Sequence, residues 1–211
     1  LFCANFFLWK ESGYFDSLSI TKPLLHLWSL GIEEQYYILW PVILTVALKK
    51  IKSPIATTLF LLIASFSINL LTVKQDEIEA FFLPQTRFWE LLVGSILAIA
   101  STQFDSRRNQ FLIANLCSVV GTFLILFCTI KINKETQYPG WWALFPTMGA
   151  ALIIAAGQPA LINRYILSNQ LFVKIGLISY PIYLWHWPLL SFSIIVEGEM
   201  PSREIRIAIL V

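Results

Sequence analysis

A histidine and two adjacent glutamates stand inside an otherwise apolar stretch, LLHLWSLGIEEQYYILWP, at residues 24–41. At a helix centre an acidic side chain costs about 2.5–3.5 kcal/mol on insertion scales. A membrane-spanning segment that keeps one uses it to line a cavity, a proton path or a substrate site. At about 3.6 residues per turn, His26, Ser29, Leu30, Glu33 and Tyr37 are expected along one helix face. Glu34 falls about 80° away on a neighbouring flank, and Leu27, Trp28 and Ile32 are left to meet lipid or other helices. A histidine can take and return a proton near neutral pH, and a carboxylate can orient it or hold its charge. The bland alternative makes His26 and Trp28 an interfacial belt and Glu33 the partner of a buried hydroxyl. It accounts poorly for two consecutive glutamates one turn deeper.

A second constellation is Arg87 with Glu90 in PQTRFWELLVGSILA. At i,i+3 they can pair, either as an arginine snorkelling at a helix end or as a two-pronged site for a phosphate or carboxylate. Gly94 and Ala98 form a small-x-x-x-small pair suited to close helix packing. The third is GLISYPIYLWHWPLL, residues 176–190. Ser179, Tyr183 and His186 share a face there, and Pro181 and Pro188 are expected to interrupt or bend the helix. Freed backbone groups at membrane depth are tolerated where they line a cavity or are buried in protein. An aromatic belt of Trp185 and Trp187 explains the same residues equally well. With His26 and His186 as its only histidines, the chain cannot build a multi-histidine di-iron site, and no metal site is expected. It has no G-x-S-x-G elbow, no H-E-x-x-H and no glycine-rich phosphate loop.

The elements that must position these residues are membrane helices. The 211-residue chain is 57% hydrophobic and only 13% charged, against about 25% charged in soluble domains. A bilayer core takes about 20 apolar residues per helix. Candidate spans are 1–9, 24–48, 55–73, 86–101, 111–131, 143–157, 172–196 and a start at 205, joined by short polar connections. The net charge of +2 is spread out, with no basic stripe for nucleic acid. Cys117 and Cys128 would lie ~16 Å apart along one helix, too far for a bridge, and Cys3 adds no disulfide framework. The basic clusters Lys49/Lys50/Lys52 and Arg107/Arg108 fall on one side. The opposite loops hold Asp76, Glu77, Glu79, Glu197 and Glu199; Lys and Arg in total divide almost evenly between the sides, and on the compact clusters the basic loops are expected in the cytoplasm. The chain opens and closes on apolar residues without an initiator Met or signal peptide. It is expected to be an internal piece of a longer protein.

At these residues the chain resembles the membrane acyltransferase-three family, whose members acylate sugars of bacterial envelope polysaccharides. PLLHLWSLGIEEQYYILWP is similar to the family's H-x-W-S-L-x-x-E-x-x-(F/Y)-Y-x-x-x-P signature through His26, Trp28, Ser29, Leu30, Glu33, Tyr37 and Pro41. TRFWELLVGSILA resembles its R-x-W-E-L-x-x-G-x-x-L-A segment through Arg87, Trp89, Glu90, Leu91 and Gly94. GLISYPIYLWHWPLL resembles its G-x-x-S-Y-x-x-Y-L-W-H-x-P segment. PGWWALFPTMGAALIIAAG, residues 139–157, is similar to a stretch of the branch often fused to an SGNH-type hydrolase domain. One departure matters. The family's proposed catalytic histidine lies in its first helix, about ten residues after a basic residue, and neither His26 nor His186 matches that position by motif.

The resemblance implies an all-α, polytopic transmembrane bundle of roughly ten helices. Residues 1–211 would supply about its third to ninth spans, as a partial integral-membrane acyltransferase domain in the bacterial cytoplasmic membrane. It implies an O-acyltransferase that moves an acyl group, expected to be acetyl, from cytoplasmic acyl-CoA to a glycan hydroxyl such as that of lipopolysaccharide O-antigen or peptidoglycan. No bound cofactor is expected. Partners would be acyl-CoA, the glycan, the bilayer and an SGNH-type domain, with no nucleic acid. His26 and Glu33 are expected to orient the acceptor or shuttle a proton. Ser29, Glu34, Tyr37, Arg87, Glu90, Tyr183 and His186 are expected around the substrates. The rival class is a proton-coupled transporter or flippase for a glycan or lipid-linked sugar, with His26, Glu33 and Arg87 along its path. A non-catalytic scaffold fits poorly with buried charges.

Overall fold

Proline, aspartate and glycine punctuate the apolar runs into helices. A computed structural model describes residues 2–12, 20–103, 110–133 and 136–210. Among these the helices are α1 (Ala4–Ser12), α2 (Trp28–Val46), α3 (Pro54–Thr72), α4 (Glu77–Phe82), α5 (Pro84–Gln103), α6 (Gln110–Lys131), α7 (Leu144–Ala156), α8 (Gln170–Glu197) and α9 (Arg203–Leu210), with no strand. Pro54 and Pro84 open α3 and α5, where a missing N–H costs nothing. The Asn169 side chain caps α8 through the Leu171 N–H, and Gly198 closes that helix at φ +76°, a conformation suited to glycine.

The expected spans agree with these helices to within a few residues at each end, and three local features differ. Residues 25–27 form a separate 3-10 turn, so His26 stands before α2 rather than in its first turn. Residues 77–82, read as loop, form α4, because the Asp76 carboxylate accepts from the N–H groups of Ile78 (2.9 Å) and Glu79 (3.0 Å). Such a cap contributes about 1 kcal/mol. Finally, α8 runs unbroken through Pro181 and Pro188, as α2 does through Pro41. A helical proline withholds the donor from the carbonyl four residues before it. Pro188 thereby frees the Leu184 carbonyl.

Hydroxyls and amides register the helices on one another. The Ser65 hydroxyl of α3 donates to the Gln85 carbonyl (2.7 Å) and accepts from the Trp89 N–H (3.0 Å), so it bridges one full turn of α5. Asn69 donates to the Thr86 carbonyl at 3.0 Å. The Thr86 hydroxyl donates to the carbonyls of Ala80 (2.8 Å) and Leu83 (2.7 Å), fixing α4 against the start of α5. Close backbone packing falls between α6 and α7 rather than at Gly94. A Cβ on Gly121 would lie 2.6 Å from the Gly149 carbonyl oxygen, whereas one on Gly94 would meet nothing within 4 Å.

Two of the described helices, α3 and α6, are each long and apolar enough to cross a membrane. The apolar α7 is shorter, at 13 residues. Helices α2, α5 and α8 have 19, 20 and 28 residues, and they carry the polar motif residues. The three cysteines are free. Arg107 and Arg108 lie outside the described residues. So does the rest of the connection around them, residues 104–109.

Candidate active site

The start of α2, the start of α5 and the second half of α8 meet at one end of the bundle. Each motif sits where its helix contributes to that meeting. The turn 25–27 is held on α8 by Trp187, whose indole N–H donates to the Lys22 carbonyl at 2.8 Å, and by Tyr183, whose hydroxyl donates to the His26 carbonyl. Because the Tyr183 proton is committed to that carbonyl, the Ser29 hydroxyl is the donor in the 2.7 Å bond between Ser29 and Tyr183. Ser29 thus keeps its lone pairs for another partner.

These bonds bring the two histidines together. The ring centroids of His26 and His186 are 5.7 Å apart and edge-on, and His26 lies 5.2 Å from the Tyr183 ring. His186 Nδ1 faces the carbonyls of Tyr183 (2.8 Å) and Ile182 (3.1 Å). Both are acceptors, so the proton belongs on Nδ1, and Nε2 is the nitrogen free to accept. His26 is buried, and neither of its ring nitrogens has a hydrogen-bond partner among the described residues. The expected carboxylate on His26 is therefore not in place: Glu33 makes no hydrogen bond to that ring.

Glu33 instead lines a cavity of about 90 Å³ with Ser29, Arg87 and Glu90, walled by Trp28, Ile32 and Leu91. Arg87 Nη1 meets Glu90 Oε1 at 3.0 Å. The guanidinium also lies 5.5 Å from the Trp28 ring, 5.8 Å from Phe81 and 5.6 Å from Tyr138. Each such contact is worth about 0.5–2 kcal/mol. A snorkelling arginine would reach for water. This one is enclosed on the protein side, with its side chain 12% exposed.

The structure therefore gathers His26, Ser29, Glu33, Arg87, Glu90, Tyr183 and His186 at one end of the bundle. Tyr37 does not join them. It is 63% exposed, and the inward tyrosine is Tyr36, whose hydroxyl meets that of Ser95 at 2.6 Å. The reason is angular. Seven residues after Ser29 make almost two full turns, while eight overshoot them by about 80°. Glu34 lies outside the cavity, with one buried carboxylate oxygen lacking a partner among the described residues. Leu27 and Ile32, which could have faced lipid, are buried, and Trp28 covers Arg87. Phe81 and Tyr138 were not foreseen. The acidic cap of α4 signals Phe81's helix, but nothing local marks Tyr138. Among the described residues no group of three or more His, Cys, Asp or Glu could hold a metal ion.

An all-α bundle with two helices long and apolar enough to cross a membrane, and a part-buried His–Tyr–Ser–Glu–Arg cluster at one end, is the architecture of a helical membrane protein with a polar site. The profile of the acyltransferase-three family, described as an acyltransferase domain, matches residues 1–196, and the chain belongs to that family. It is 34% identical over 206 residues to a protein of Staphylococcus aureus (strain COL) provisionally named an O-acetyltransferase, covering 91% of this chain and 34% of that protein. It is 30% identical over 209 residues to the peptidoglycan O-acetyltransferase OatA of Listeria monocytogenes, covering 93% of this chain and 33% of that one. An uncharacterized protein of Haemophilus influenzae is 35% identical over 162 residues, 72% of this chain and 66% of its own length. The chain thus spans about a third of the Staphylococcus and Listeria relatives. No solved structure matches it.

Proposed function

We propose that this chain forms part of the reacting core of a multi-pass membrane O-acyltransferase. The enzyme moves an acetyl group from acyl-CoA to a hydroxyl of a cell-envelope glycan. One observation carries the reading: Ser29 joins the three polar motifs, by its 2.7 Å bond to Tyr183 of the third and by the cavity it lines with Glu33 of its own motif and Arg87 and Glu90 of the second. The names of the Staphylococcus and Listeria relatives supply the acetyl group and a glycan acceptor.

In this reading the glycan hydroxyl oxygen attacks the thioester carbonyl carbon. The carbonyl electrons move onto oxygen and return as the C–S bond breaks, and the hydroxyl proton ends on the departing sulfur. Glu33 receives or orients that hydroxyl proton. Ser29, with its own proton given to Tyr183, accepts a hydrogen bond from the sugar. Arg87 holds the donor carbonyl, with charge to offer the developing oxyanion. Glu33 returns that proton to the departing sulfur, and His26 and His186, edge to edge beyond Tyr183, flank the site without a hydrogen bond to Glu33. The part-buried setting of these side chains strengthens their interactions relative to water.

The cluster lies at the end of the bundle that carries Asp76, Glu77 and α4, opposite Lys49 and Lys50. With the basic loops in the cytoplasm of a bacterial inner membrane, the glycan meets the site from the outer side. The acyl group of cytoplasmic acyl-CoA must then reach across the bundle. The test is to reconstitute the full-length protein in proteoliposomes with acetyl-labelled acetyl-CoA on one side and glycan on the other. Label on the glycan supports the reading. Glycan that crosses the bilayer unlabelled would replace it with transport.

A further inference from the structure

A second cavity, of about 410 Å³, lies between α8 and α9 and is lined by His186, Arg203 and Arg206 with Leu190, Ile207 and Ile209. We propose that it is a phosphate-binding site, with Arg203 and Arg206 as the anion ligands and His186 at its inner wall. The family match covers residues 1–196 and does not include the two arginines.

Arg203 and Arg206 are i,i+3 on α9, one helical face, and Ile207 continues that face into the cavity. Glu204 lies about 100° around the helix from Arg203, and among the described residues no carboxylate lines the cavity. Among the described residues neither arginine has an ion-pair partner; the pair recorded there is Arg87 with Glu90. Two exposed guanidiniums around one hollow, with no ion-pair partner among the described residues, suit a phosphate. Each guanidinium can present a two-pronged donor set to phosphate oxygens. His186 faces the same hollow, and its Nδ1 proton is already committed to backbone carbonyls.

The surroundings favour a lipid headgroup as the source of the phosphate. The cavity's own walls, Leu190, Ile207 and Ile209, are apolar, and Ile207 is 52% exposed at its rim, so an acyl chain can lie against them. A free phosphate compound would use the arginines alone.

The experiment uses the full-length protein in neutral detergent, titrated with dihexanoyl phosphatidylglycerol and, separately, with dihexanoyl glycerol, which lacks the phosphate. The phospholipid should bind, the uncharged lipid at least tenfold more weakly. The Arg203→Gln/Arg206→Gln double variant should lose at least tenfold in phospholipid affinity, and Arg203→Lys/Arg206→Lys should lose less. Inorganic phosphate that competes only at large molar excess assigns the site to a lipid headgroup. Competition at concentrations similar to the lipid's keeps the phosphate site and assigns it to free phosphate compounds. Equal affinity for the two lipids, or an unchanged affinity in the glutamine variant with retained thermal unfolding, would overturn the proposal.

Discussion

The Tyr183 hydroxyl, midway along α8, donates to the backbone carbonyl of His26, 157 residues earlier in the chain. That bond, with the Ser29–Tyr183 bond beside it, fixes the 3-10 turn carrying His26 against the helix carrying His186. The two imidazoles meet because one phenol holds the backbone between them.

Tyr183→Phe removes both hydrogen bonds and keeps the ring. Each bond is worth about 0.5–1.5 kcal/mol, so the variant should unfold about 1–3 kcal/mol more easily, with glycan acylation reduced at least tenfold. Thermal unfolding in detergent and an acylation assay check the two halves separately. Unchanged unfolding would mean that the tyrosine does not hold the turn.

Arg87→Lys keeps the charge but loses the planar group that lies among Trp28, Phe81 and Tyr138. Lysine cannot reproduce a stacked, two-pronged guanidinium. Acylation should fall at least tenfold while membrane insertion persists, and a lysine variant at wild-type rates would reduce Arg87 to a point charge.

Two glycines should respond in opposite ways to alanine. Gly121→Ala forces a Cβ to 2.6 Å from the Gly149 carbonyl oxygen, a backbone atom that cannot swing aside. It should cost about 1–3 kcal/mol. Gly94→Ala meets open space and should be neutral or stabilising by up to about 1 kcal/mol. Thermal unfolding of the two variants side by side decides it, and equal effects would contradict the α6–α7 contact.

Much of this was legible in the sequence because membrane helices announce themselves by length and apolarity, and because polar residues within them are costly. The helices and the motif residues His26, Ser29, Glu33, Arg87, Glu90, Tyr183 and His186 follow from that. What escaped depends on angle and on tertiary contact. Tyr36 rather than Tyr37 turns inward because residues seven apart align better than residues eight apart. Gly94 matched a packing pattern, yet the backbones approach at Gly121 and Gly149, where a facing helix happens to lie. The Arg87 enclosure draws Phe81 from a short helix signalled only by its acidic cap, and Tyr138 from a segment with no local mark. The prolines of α8 read as an interruption or a bend, and the helix continues through both.

Orientation can be read chemically. Single cysteines at Lys50 and Glu77, in a full-length protein cleared of native cysteines, should behave oppositely in intact cells. The one at Glu77 should react with a membrane-impermeant maleimide and the one at Lys50 should not. The reverse pattern would place the site on the cytoplasmic side and bring the donor to it directly.

The central claim is that the cavity beside Ser29 and Arg87 carries out acyl transfer through Glu33, and the most direct measurement compares two glutamines. Glu33→Gln keeps the shape of a side chain that lines the cavity and removes its ability to take a proton. Glu34→Gln makes the same change outside it. With both full-length variants inserted and folded as wild type, Glu33→Gln should lower glycan acylation at least a hundredfold and Glu34→Gln by less than tenfold. Wild-type acylation by Glu33→Gln would contradict the account.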